Sequence, residues 1–387
     1  MAAEAGGPPR MSTISPSAVP RLYRGAVVKH GLDWDRIDAL LHTLEPTPQN
    51  LQLFQDGAVD PASYVERAGE LGMSRPRLIK ERFYGLLREG AALVFNRMEL
   101  HSLEARQLCA AVSRLGGASG IGNGYLSFGG KCAFDKHWDT HDVYAVQLIG
   151  RKRWQLFQPT FMNPLAEHTS EAMAMQCPDK VVLDCVLSPG DMLYVPRGWW
   201  HQTLPFDEPS FHLSVGLYPP TMHDFLGWAL ARVAPQRLAV RQTLSTDPGV
   251  AAGDLGAAVE ALRDLLLDPA VLADYRREIA LADRPVPEFE LARFAGERTI
   301  GPETILRLST AQAAVRTPET LLINGRALPA DGLGARIIQL LATVPMCSFA
   351  ALSDALIDVP EALLQEGVFE LAAHGCIVTG GVQLAEP

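Results

Sequence analysis

Six short apolar runs, separated by glycine and proline, fill the sequence between Asn123 and Tyr218. They read GYLSFGG, VYAVQLIG, RWQLFQP, KVVLDCVLSPG, DMLYVP and FHLSVGLYPP. Short strands at such spacing, each ended by turn-forming residues, are typical of a β-barrel or a jelly roll. We therefore expect a barrel in this region, closed by Pro219 and Pro220.

Helical periodicity flanks the barrel region on both sides. The predicted helices before it are Asp33–Leu44, Pro61–Leu71, Arg75–Arg88 and Leu103–Leu115, with a short strand at Ala91–Asn96. The predicted helices directly after it are Phe225–Val233 and Val259–Leu267, separated by a linker at Thr246–Gly256. The C-terminal pattern is helical over Gly332–Ala342, Ser348–Leu356 and Glu361–His374, and it ends in a hairpin-like segment at Cys376–Leu384. This last arrangement is the outline of a winged helix.

The sequence thus predicts an α+β chain in four parts. Residues 1–20 are expected to be disordered, and residues 21–220 to form the barrel with its N-terminal helices. Residues 221–300 are expected to form a helical region, and residues 301–387 a winged-helix-like domain. Because helices appended to a barrel commonly pack against a second copy, we predict a homodimer through the helical region. A lid over the barrel of the same chain is the alternative.

The charge of the chain restricts its partners. Hydrophobic residues make up 48% of the 387 residues and charged residues 20%, which indicates a globular protein rather than a disordered one. The net charge of −10 has the wrong sign for binding nucleic acid or an anionic membrane through the overall field. Residues 301–387 carry four arginines, no lysine and nine carboxylates, so the predicted winged helix is not expected to bind DNA. A basic partner fits better.

The cysteines and the N-terminus indicate the compartment. The six cysteines form no CxxC pair, so neither a disulfide framework nor a thiolate zinc site is expected. Residues 1–20 lack the apolar core of a signal peptide, and no later stretch approaches 18 uninterrupted apolar residues. We therefore expect a cytoplasmic protein without a membrane partner.

A candidate metal site is spread over two motifs. His137 and Asp139 lie two residues apart, so an extended backbone presents both side chains on one face. His201 ends a Gly-x5-Pro-x-Gly-x-x-His element, in which a strand turns tightly and the next begins. Two histidines and one carboxylate on one side of a metal are typical of non-haem Fe(II) oxygenases. His141 is a competing ligand for a four-ligand zinc site, although a structural zinc site with a carboxylate is unusual.

Other polar residues of the barrel are candidates for binding small molecules. Lys152 shares the predicted strand face of Trp154 and Leu156, where it either pairs with the distal carboxylate of a dicarboxylate co-substrate or snorkels from the strand end. Ser214 alternates with His212 and Gly216, so it is either a donor to a carboxylate or an ordinary polar-face residue. Asn123 and Tyr125 stand two apart at the entry to the barrel, where they either hold a substrate side chain or are hydrogen-bonded structure.

At these residues the sequence resembles the JmjC-type ribosomal oxygenases, which are cupin-like, 2-oxoglutarate-dependent protein hydroxylases. The motifs that carry the resemblance are ALVFNRMEL, NGYLSFGG, HWDTHDVYAVQLIGRKRW, PGDMLYVPRGWWHQ and HLSVGLYP. The lysine fifteen residues after the first histidine, inside D-V-(Y/F)-x-x-Q-x-x-G-x-(K/R)-x-W, is more specific than the His-x-Asp pair. The order of parts also matches, with a barrel, a helical dimerisation region and a C-terminal winged helix.

The resemblance implies a double-stranded β-helix of the cupin or jelly-roll type and an oxygenase that uses Fe(II), 2-oxoglutarate and O2. It implies Fe(II) ligation by His137, Asp139 and His201, and binding of the far carboxylate of 2-oxoglutarate by Lys152. Asn123, Tyr125 and Ser214 fall at positions that face the substrate side chain or the co-substrate. The resemblance implies no catalytic residue beyond the metal ligands.

The resemblance also implies a substrate class, namely an arginine or histidine side chain of a ribosomal or other protein. Lys152 and the Asn–Tyr pair favour the histidyl type, as does the lack of an acid just before His137 other than Asp135. The alternatives are a hydroxylase of a peptide natural-product precursor, an N-methyl-lysine demethylase and a non-catalytic cupin that binds proteins. The intact metal-ligand set with Lys152 argues against the last of these.

Overall fold

A computed structural model of the chain describes residues 19–28, 30–70, 72–129, 134–311, 314–344, 346–380 and 384. These residues form two compact units. The first contains the described residues up to Tyr218 together with residues 379, 380 and 384, and the second contains residues 219–378. The N-terminal segment predicted to be disordered lies outside the described residues, apart from Val19 and Pro20.

The first unit combines three helices, two sheets that face each other and a two-stranded ribbon. Its helices are α1 (Trp34–Thr43), α2 (Lys80–Arg88) and α3 (Leu103–Gly116). Its strands are β1 (Arg21–Tyr23), β2 (Leu51–Phe54), β3 (Val65–Glu70), β4 (Met73–Leu78), β5 (Ala92–Phe95), β6 (Gly120–Ser127), β7 (Asp142–Ile149), β8 (Lys152–Phe157), β9 (Val181–Leu187), β10 (Met192–Val195), β11 (Trp200–Pro205) and β12 (Ser210–Leu217). Short 3-10 turns lie at Pro61–Ser63, Met98–Leu100 and Glu171–Gln176.

The two facing sheets form the predicted barrel. The larger sheet has the order β1-β10-β7-β12-β6-β5-β2, and the smaller has the order β11-β8-β9. All the pairings of these strands are antiparallel. Side chains of both sheets, among them Ala145, Leu156, Leu187 and Val195, share one buried cluster between the sheets. That shared cluster is the interior of the barrel.

Alternation along β12 separates the interior from the helical layer. Leu213, Val215 and Leu217 pack with helix residues such as Leu108 and Val112 of α3 in the main core. Since successive side chains of a strand point to opposite faces, His212 and Ser214 point the other way, into the barrel. The sequence pattern predicts this division correctly, because the apolar face of the strand is continuous.

The second unit is mostly helical with two small sheets. Its helices are α4 (Met222–Arg232), α5 (Leu238–Arg241), α6 (Pro248–Leu267), α7 (Pro269–Ala282), α8 (Leu291–Phe294), α9 (Leu333–Thr343), α10 (Phe349–Ala355) and α11 (Glu361–Ala373). Its strands are β13 (Ile305–Leu308), β14 (Val315–Arg316), β15 (Thr320–Ile323), β16 (Arg326–Pro329), β17 (Cys347–Ser348) and β18 (Ile377–Thr379), and a 3-10 turn lies at Ala234–Gln236. The sheets have the orders β17-β13-β18 and β14-β15-β16.

Three local predictions are wrong, each for a clear reason. In place of the helices expected at Pro61–Leu71 and Arg75–Arg88, the structure has a 3-10 turn at Pro61–Ser63 and a β3–β4 ribbon, and the described α-helix is confined to Lys80–Arg88. Pro76 lies inside the predicted second helix, where it has no backbone N–H to donate, and it sits in β4 instead. The expected linker at Thr246–Gly256 belongs largely to α6, because Asp247 caps that helix and Pro248 begins it.

The sequence pattern also misses strands β13 to β16, which precede the three predicted C-terminal helices. Those helices are present within one or two residues of their expected bounds. Of the hairpin-like segment Cys376–Leu384, the structure shows β18 and a bridge from Leu384 to Val27, while residues 381–383 lie outside the described part. Among the described residues, no helix is long and apolar enough to cross a membrane.

Candidate metal centre and anion site

A backbone bridge brings the two predicted histidine ligands together. The His137 N–H donates to the carbonyl of His201 at 3.1 Å, and the His201 N–H donates to the carbonyl of His137 at 2.8 Å. The two imidazole rings lie 4.4 Å apart between their centroids. Residues separated by 64 positions in the sequence are therefore held side by side by main-chain hydrogen bonds.

A tight turn places His201 opposite Asp139. The Gly198 N–H donates to the carbonyl of Asp139 at 3.0 Å, and Gly198 has a φ of +84°. A Cβ at this position would lie 2.6 Å from the carbonyl oxygen of Phe161, so only glycine fits without a shift of the backbone. The Pro-x-Gly-x-x-His spacing thus has a steric cause: the glycine lets the segment that holds Phe161 approach the turn that delivers His201.

The three side chains converge as the sequence predicts. Ligand atoms of His137, Asp139 and His201 all lie within 4.8 Å of one another. The His201 Nε2 lies 3.5 Å from Asp139 Oδ2. His201 is buried, whereas His137 and Asp139 are partly exposed, so one side of the cluster is open. Within the described residues, this is the one cluster of at least three metal-ligating side chains.

The hydrogen bonds of the imidazoles prepare both rings for a metal. His137 Nδ1 lies 2.7 Å from the carbonyl oxygen of Asp135, and His201 Nδ1 lies 3.1 Å from that of Trp199. A carbonyl only accepts, so each Nδ1 carries the proton and each Nε2 keeps a free lone pair. Metal-binding histidines are oriented in this way by their second nitrogen. Two imidazoles and one carboxylate therefore fit a divalent transition metal with open coordination positions.

Electrostatics keep the buried imidazole neutral. Burial lowers the pKa of His201 to about 4, and the neighbouring His137 ring acts in the same direction, while the Asp139 carboxylate opposes both. A neutral imidazole is the form that ligates a metal. His201 is thus in the ligating form across the physiological pH range.

Lys152 is a buried cation without an anion. The residue begins β8, its exposed fraction is 5%, and it pairs in register with Leu187 on one side and Pro205 on the other. Among the described residues no carboxylate forms an ion pair with it, and its Nζ lies 3.2 Å from Nδ1 of His212. Burial lowers the pKa of Lys152 to about 8, so the ammonium is still charged in most molecules at neutral pH. A buried ammonium of this kind calls for a negatively charged ligand.

Aromatic rings connect this lysine to the metal-ligand cluster. The ring of His212 stacks on Tyr125 with centroids 4.9 Å apart and meets Trp154 edge-on at 5.6 Å. Trp154 in turn stacks on His201 at 5.9 Å. Burial raises the pKa of Tyr125, and the nearby Asp139 carboxylate raises it further, so its hydroxyl stays protonated. The lysine and the metal ligands therefore line one continuous part of the barrel interior.

The predicted substrate-facing residues lie on two neighbouring strands. Asn123 of β6 pairs in register with Ser214 of β12, and Tyr125 pairs with His212. All four side chains consequently point to the barrel interior. Asn123 Oδ1 accepts the N–H of Arg97 at 3.0 Å, so this side chain also has a structural hydrogen bond. The structure brings these residues to one face; their part in binding remains a prediction.

His141, the competing ligand, contacts residues other than the three clustered side chains. Its ring stacks on Tyr218 with centroids 4.7 Å apart. It also covers Gly216, where an added Cβ would lie 2.5 Å from its Cδ2. A four-ligand set that includes His141 is not formed among the described residues.

Sequence patterns alone do not assign three further interior residues to the site. They are His212, Gln147 and Trp154. The Gln147 Oε1 and the Trp154 Nε1 are buried without a hydrogen-bond partner among the described residues. The signal for His212 was available, since it is a polar residue that alternates with Ser214 in an otherwise apolar strand. Buried polar atoms without partners are typical of a site that binds water or a ligand.

Comparison with known proteins agrees with this geometry. The profile of the JmjC domain family matches residues 96–225, which include every residue of the cluster. Its match covers β6 to β12, the strands that build the interior of the barrel.

Relatives among curated proteins match over part of their length. Ribosomal oxygenase 1 of Bos taurus is 30% identical over 223 residues, which cover 55% of this chain and 33% of that protein. The bifunctional lysine-specific demethylase and histidyl-hydroxylase NO66 of Dictyostelium discoideum is 28% identical over 214 residues, with coverage of 53% and 39%. The chain thus spans well under half the length of these relatives.

Among solved structures, the ribosomal oxygenase YcfD of Escherichia coli has the same fold. Its structure with cobalt and succinic acid gives a TM-score of 0.53 at 17% identity, covering 94% of this chain and 95% of that one. Its structure with cobalt and 2-oxoglutarate gives a TM-score of 0.52 at the same identity. Together with the JmjC domain, these matches confirm the cupin-like fold and the resemblance to the JmjC-type ribosomal oxygenases.

Proposed function

We propose that this protein is an Fe(II)- and 2-oxoglutarate-dependent oxygenase that hydroxylates an amino-acid side chain of another protein. The observation that carries the proposal is the position of a buried ammonium, Lys152, in the same barrel interior as His137, Asp139 and His201, with no carboxylate partner among the described residues. Such a pair of sites suits a ligand with two ends, one that binds a metal and one that is anionic. 2-Oxoglutarate has both ends.

The residues have distinct roles in this proposal. His137, Asp139 and His201 would hold the iron through Nε2, a carboxylate oxygen and Nε2, and Lys152 would bind the far carboxylate of 2-oxoglutarate. When bound, Fe(II) supplies the activation of O2 that oxidises both the 2-oxo acid and the target side chain. The apolar walls of the barrel, among them Leu156 and Val195, exclude water from this reaction.

A protein substrate is supported by the relatives and by charge. Curated relatives of the chain carry histidyl-hydroxylase and ribosomal oxygenase in their names. The net charge of −10 suits a basic substrate such as a ribosomal protein. We propose histidine as the target because Lys152 and the Asn123–Tyr125 pair match the histidyl type; arginine is the alternative target. In this proposal Asn123 and Tyr125 face the substrate side chain, and Ser214 faces the co-substrate.

The experiment that tests this proposal measures turnover and product together. Wild-type protein and His137→Ala are incubated with Fe(II), 2-oxoglutarate and ribosomal proteins, and succinate and intact protein masses are measured. We expect succinate formation that one ribosomal protein stimulates, with a gain of about 16 Da for one oxygen atom, and no turnover by His137→Ala. Turnover by His137→Ala equal to the wild type would exclude the assigned metal ligand.

Lysine demethylation is the second candidate, since the NO66 relatives carry that activity in their names. The same mass measurement separates the two reactions, because removal of a methyl group lowers the mass by about 14 Da and releases formaldehyde. Peptides with N-methyl-lysine therefore accompany the ribosomal proteins as substrates.

We further propose that the protein is a cytoplasmic homodimer through its helical region, with a winged-helix-like C-terminal part that contacts protein rather than DNA. Helix α6 supports the dimer, since its Leu255 and Val259 lie four residues apart and are 60% and 52% exposed. Light scattering after size exclusion chromatography tests the dimer. We expect a dimer for the wild type and a monomer for Leu255→Glu/Val259→Glu. The control is Leu238→Glu, which changes an exposed leucine outside α6 and should remain a dimer.

A further inference from the structure

The contact between Lys152 and His212 joins the two sheets of the barrel. Lys152 begins β8 of the smaller sheet, and His212 lies in β12 of the larger one. Their side chains are 5% and 3% exposed, and Lys152 Nζ lies 3.2 Å from His212 Nδ1. This is the one side-chain hydrogen bond of Lys152 within the described part of the chain.

The chemistry of this contact fixes the state of the imidazole. An ammonium has three N–H groups and no lone pair, so Nδ1 of His212 accepts and Nε2 carries the proton. A positively charged imidazolium has no lone pair with which to accept. Burial and the adjacent Lys152 charge both lower the pKa of His212 well below its usual value, in agreement with a neutral ring.

The ring itself is held in place by its aromatic neighbours. It lies parallel to Tyr125 with an interplanar angle of 9° and perpendicular to Trp154 with an angle of 81°. A lysine side chain has four rotatable carbon–carbon bonds and loses considerable entropy when it is fixed. The hydrogen bond to a fixed ring confines the ammonium before any ligand binds, which lowers the cost of binding an anion.

From these contacts we infer that His212 is a positioning residue that orients the Lys152 ammonium and thereby selects a 2-oxo acid with a second carboxylate. One N–H of Lys152 is committed to His212, and the other two remain for the far carboxylate of the ligand. This inference rests on the proposed function, since it concerns how the proposed co-substrate is chosen. It assigns the selectivity for a dicarboxylate to a lysine–histidine pair and not to the lysine alone.

Equilibrium binding of two matched ligands tests the role of His212. The ligands are 2-oxoglutarate and 2-oxopentanoate, which has the same five-carbon chain with a methyl group in place of the far carboxylate. Titrations use the full chain with Mn(II) in the absence of oxygen, so no turnover is involved. The variants are His212→Asn, His212→Gln and His212→Phe. Asn places an amide oxygen near the position of Nδ1, Gln places one near Nε2, and Phe keeps the ring without a nitrogen.

We expect the wild type to prefer 2-oxoglutarate over 2-oxopentanoate by a large factor. His212→Phe and His212→Gln should lose about tenfold or more of the affinity for 2-oxoglutarate, as is usual for a lost hydrogen bond to a charged group. Both should bind 2-oxopentanoate as the wild type does, because that ligand makes no use of Lys152. His212→Asn should stay within about threefold of the wild type for both ligands, since it restores the acceptor.

Several results would overturn the inference and leave the proposed function in place. Equal weakening of both ligands in His212→Phe would show that the ring has only a structural role. If His212→Phe binds 2-oxoglutarate as tightly as the wild type, the hydrogen bond does not contribute to the selection of the ligand. The same conclusion follows if His212→Asn binds 2-oxoglutarate as weakly as His212→Phe. Wild-type protein that binds Mn(II) but neither 2-oxo acid would instead contradict the proposed function itself.

Discussion

At the scale of single residues, the buried charge of Lys152 lowers the stability of the folded protein. A charged ammonium in an apolar barrel costs free energy that an anionic ligand would recover on binding. Burial lowers its pKa from 10.5 to about 8, and each pKa unit corresponds to about 1.4 kcal/mol. The cost of keeping the folded-state charge at neutral pH is therefore on the order of 3 kcal/mol. A residue this unfavourable for folding is best explained by binding.

We expect Lys152→Met to stabilise the ligand-free protein and to abolish 2-oxoglutarate binding. The free energy of unfolding, measured with urea at pH 7, should rise by roughly 2–3 kcal/mol because the buried charge is removed while the stem is kept. Above pH 8 the folded wild type loses its proton before the unfolded chain does. Wild-type stability should therefore rise with pH between about 8 and 10.5 relative to Lys152→Met. A Lys152→Met variant that is less stable than the wild type at pH 7 would contradict this account.

The proposed metal ligands lead to a second prediction for single residues, which concerns the unfolding temperature. Binding of a metal to the folded state only should raise the unfolding temperature by an amount that grows with metal concentration. We expect Mn(II) to stabilise the wild type in this way and to leave Asp139→Ala unchanged, since that variant lacks the carboxylate of the cluster. Thermal unfolding followed by fluorescence measures both. His141→Ala is the matched control: it should respond like the wild type, and a loss of the response there would return His141 to the ligand set.

How much the sequence predicts at this scale depends on distance along the chain. The His137–Asp139 spacing and the turn before His201 are local features that mark the three residues as ligands, whereas the bridge that joins His137 to His201 spans 64 positions. Lys152 was placed on the correct interior face, because strand alternation is also local. The contact of Lys152 with His212 joins residues sixty positions apart on different sheets, and no local pattern specifies it.

At the scale of secondary structure, the errors arise where backbone geometry overrides periodicity. Apolar spacing over residues 61–88 suits a helix, but Pro76 lacks the N–H that a helix interior needs, and Gly72 at φ +81° forms the turn of a β-ribbon instead. In α6 the opposite error occurs, because a segment rich in glycine and alanine is predicted to be a linker but is helical. The start of this helix is fixed by the Asp247 cap and Pro248. Caps and prolines were better indicators than composition.

A glycine lies in the turn between β7 and β8, close to Lys152, the residue that we propose binds the far carboxylate of 2-oxoglutarate. Gly150 directly follows β7, two residues before Lys152, and has a φ of +61°. A Cβ there would lie 2.0 Å from the carbonyl oxygen of Pro209. We expect Gly150→Ala to lower the free energy of unfolding by roughly 2–4 kcal/mol and to weaken 2-oxoglutarate binding, because the strand start must move. Gly117→Ala is the control, since Gly117 has a similar φ of +67° but open space around its Cβ.

Gly117→Ala should cost only about 1 kcal/mol, the price of a side chain in the left-handed region, and should leave ligand binding unchanged. Urea unfolding and titration with 2-oxoglutarate measure both variants. Equal losses in the two variants would mean that the close approach to Pro209 does not position β8.

At the scale of the whole molecule, charge links the chain to its proposed substrate. The net charge of −10 is spread over a chain whose C-terminal residues 301–387 alone contribute −5. A field of this sign attracts a basic protein over distances comparable to the Debye length, about 10 Å at 0.1 M salt. Attraction of this kind acts mainly on the rate of encounter and weakens with ionic strength.

We therefore expect kcat/KM for a basic ribosomal protein to fall several-fold between about 25 and 300 mM NaCl, while kcat stays nearly constant. The reason is that salt screens the encounter of the two proteins and not the buried chemistry at His201 and Lys152. Succinate formation at subsaturating and saturating substrate, measured across the salt series, separates the two parameters. A short peptide of near-zero net charge around the target residue is the control, and its kcat/KM should be flat. A flat profile for the whole basic protein, or an equal fall for the neutral peptide, would show that the negative charge of the chain does not guide its substrate.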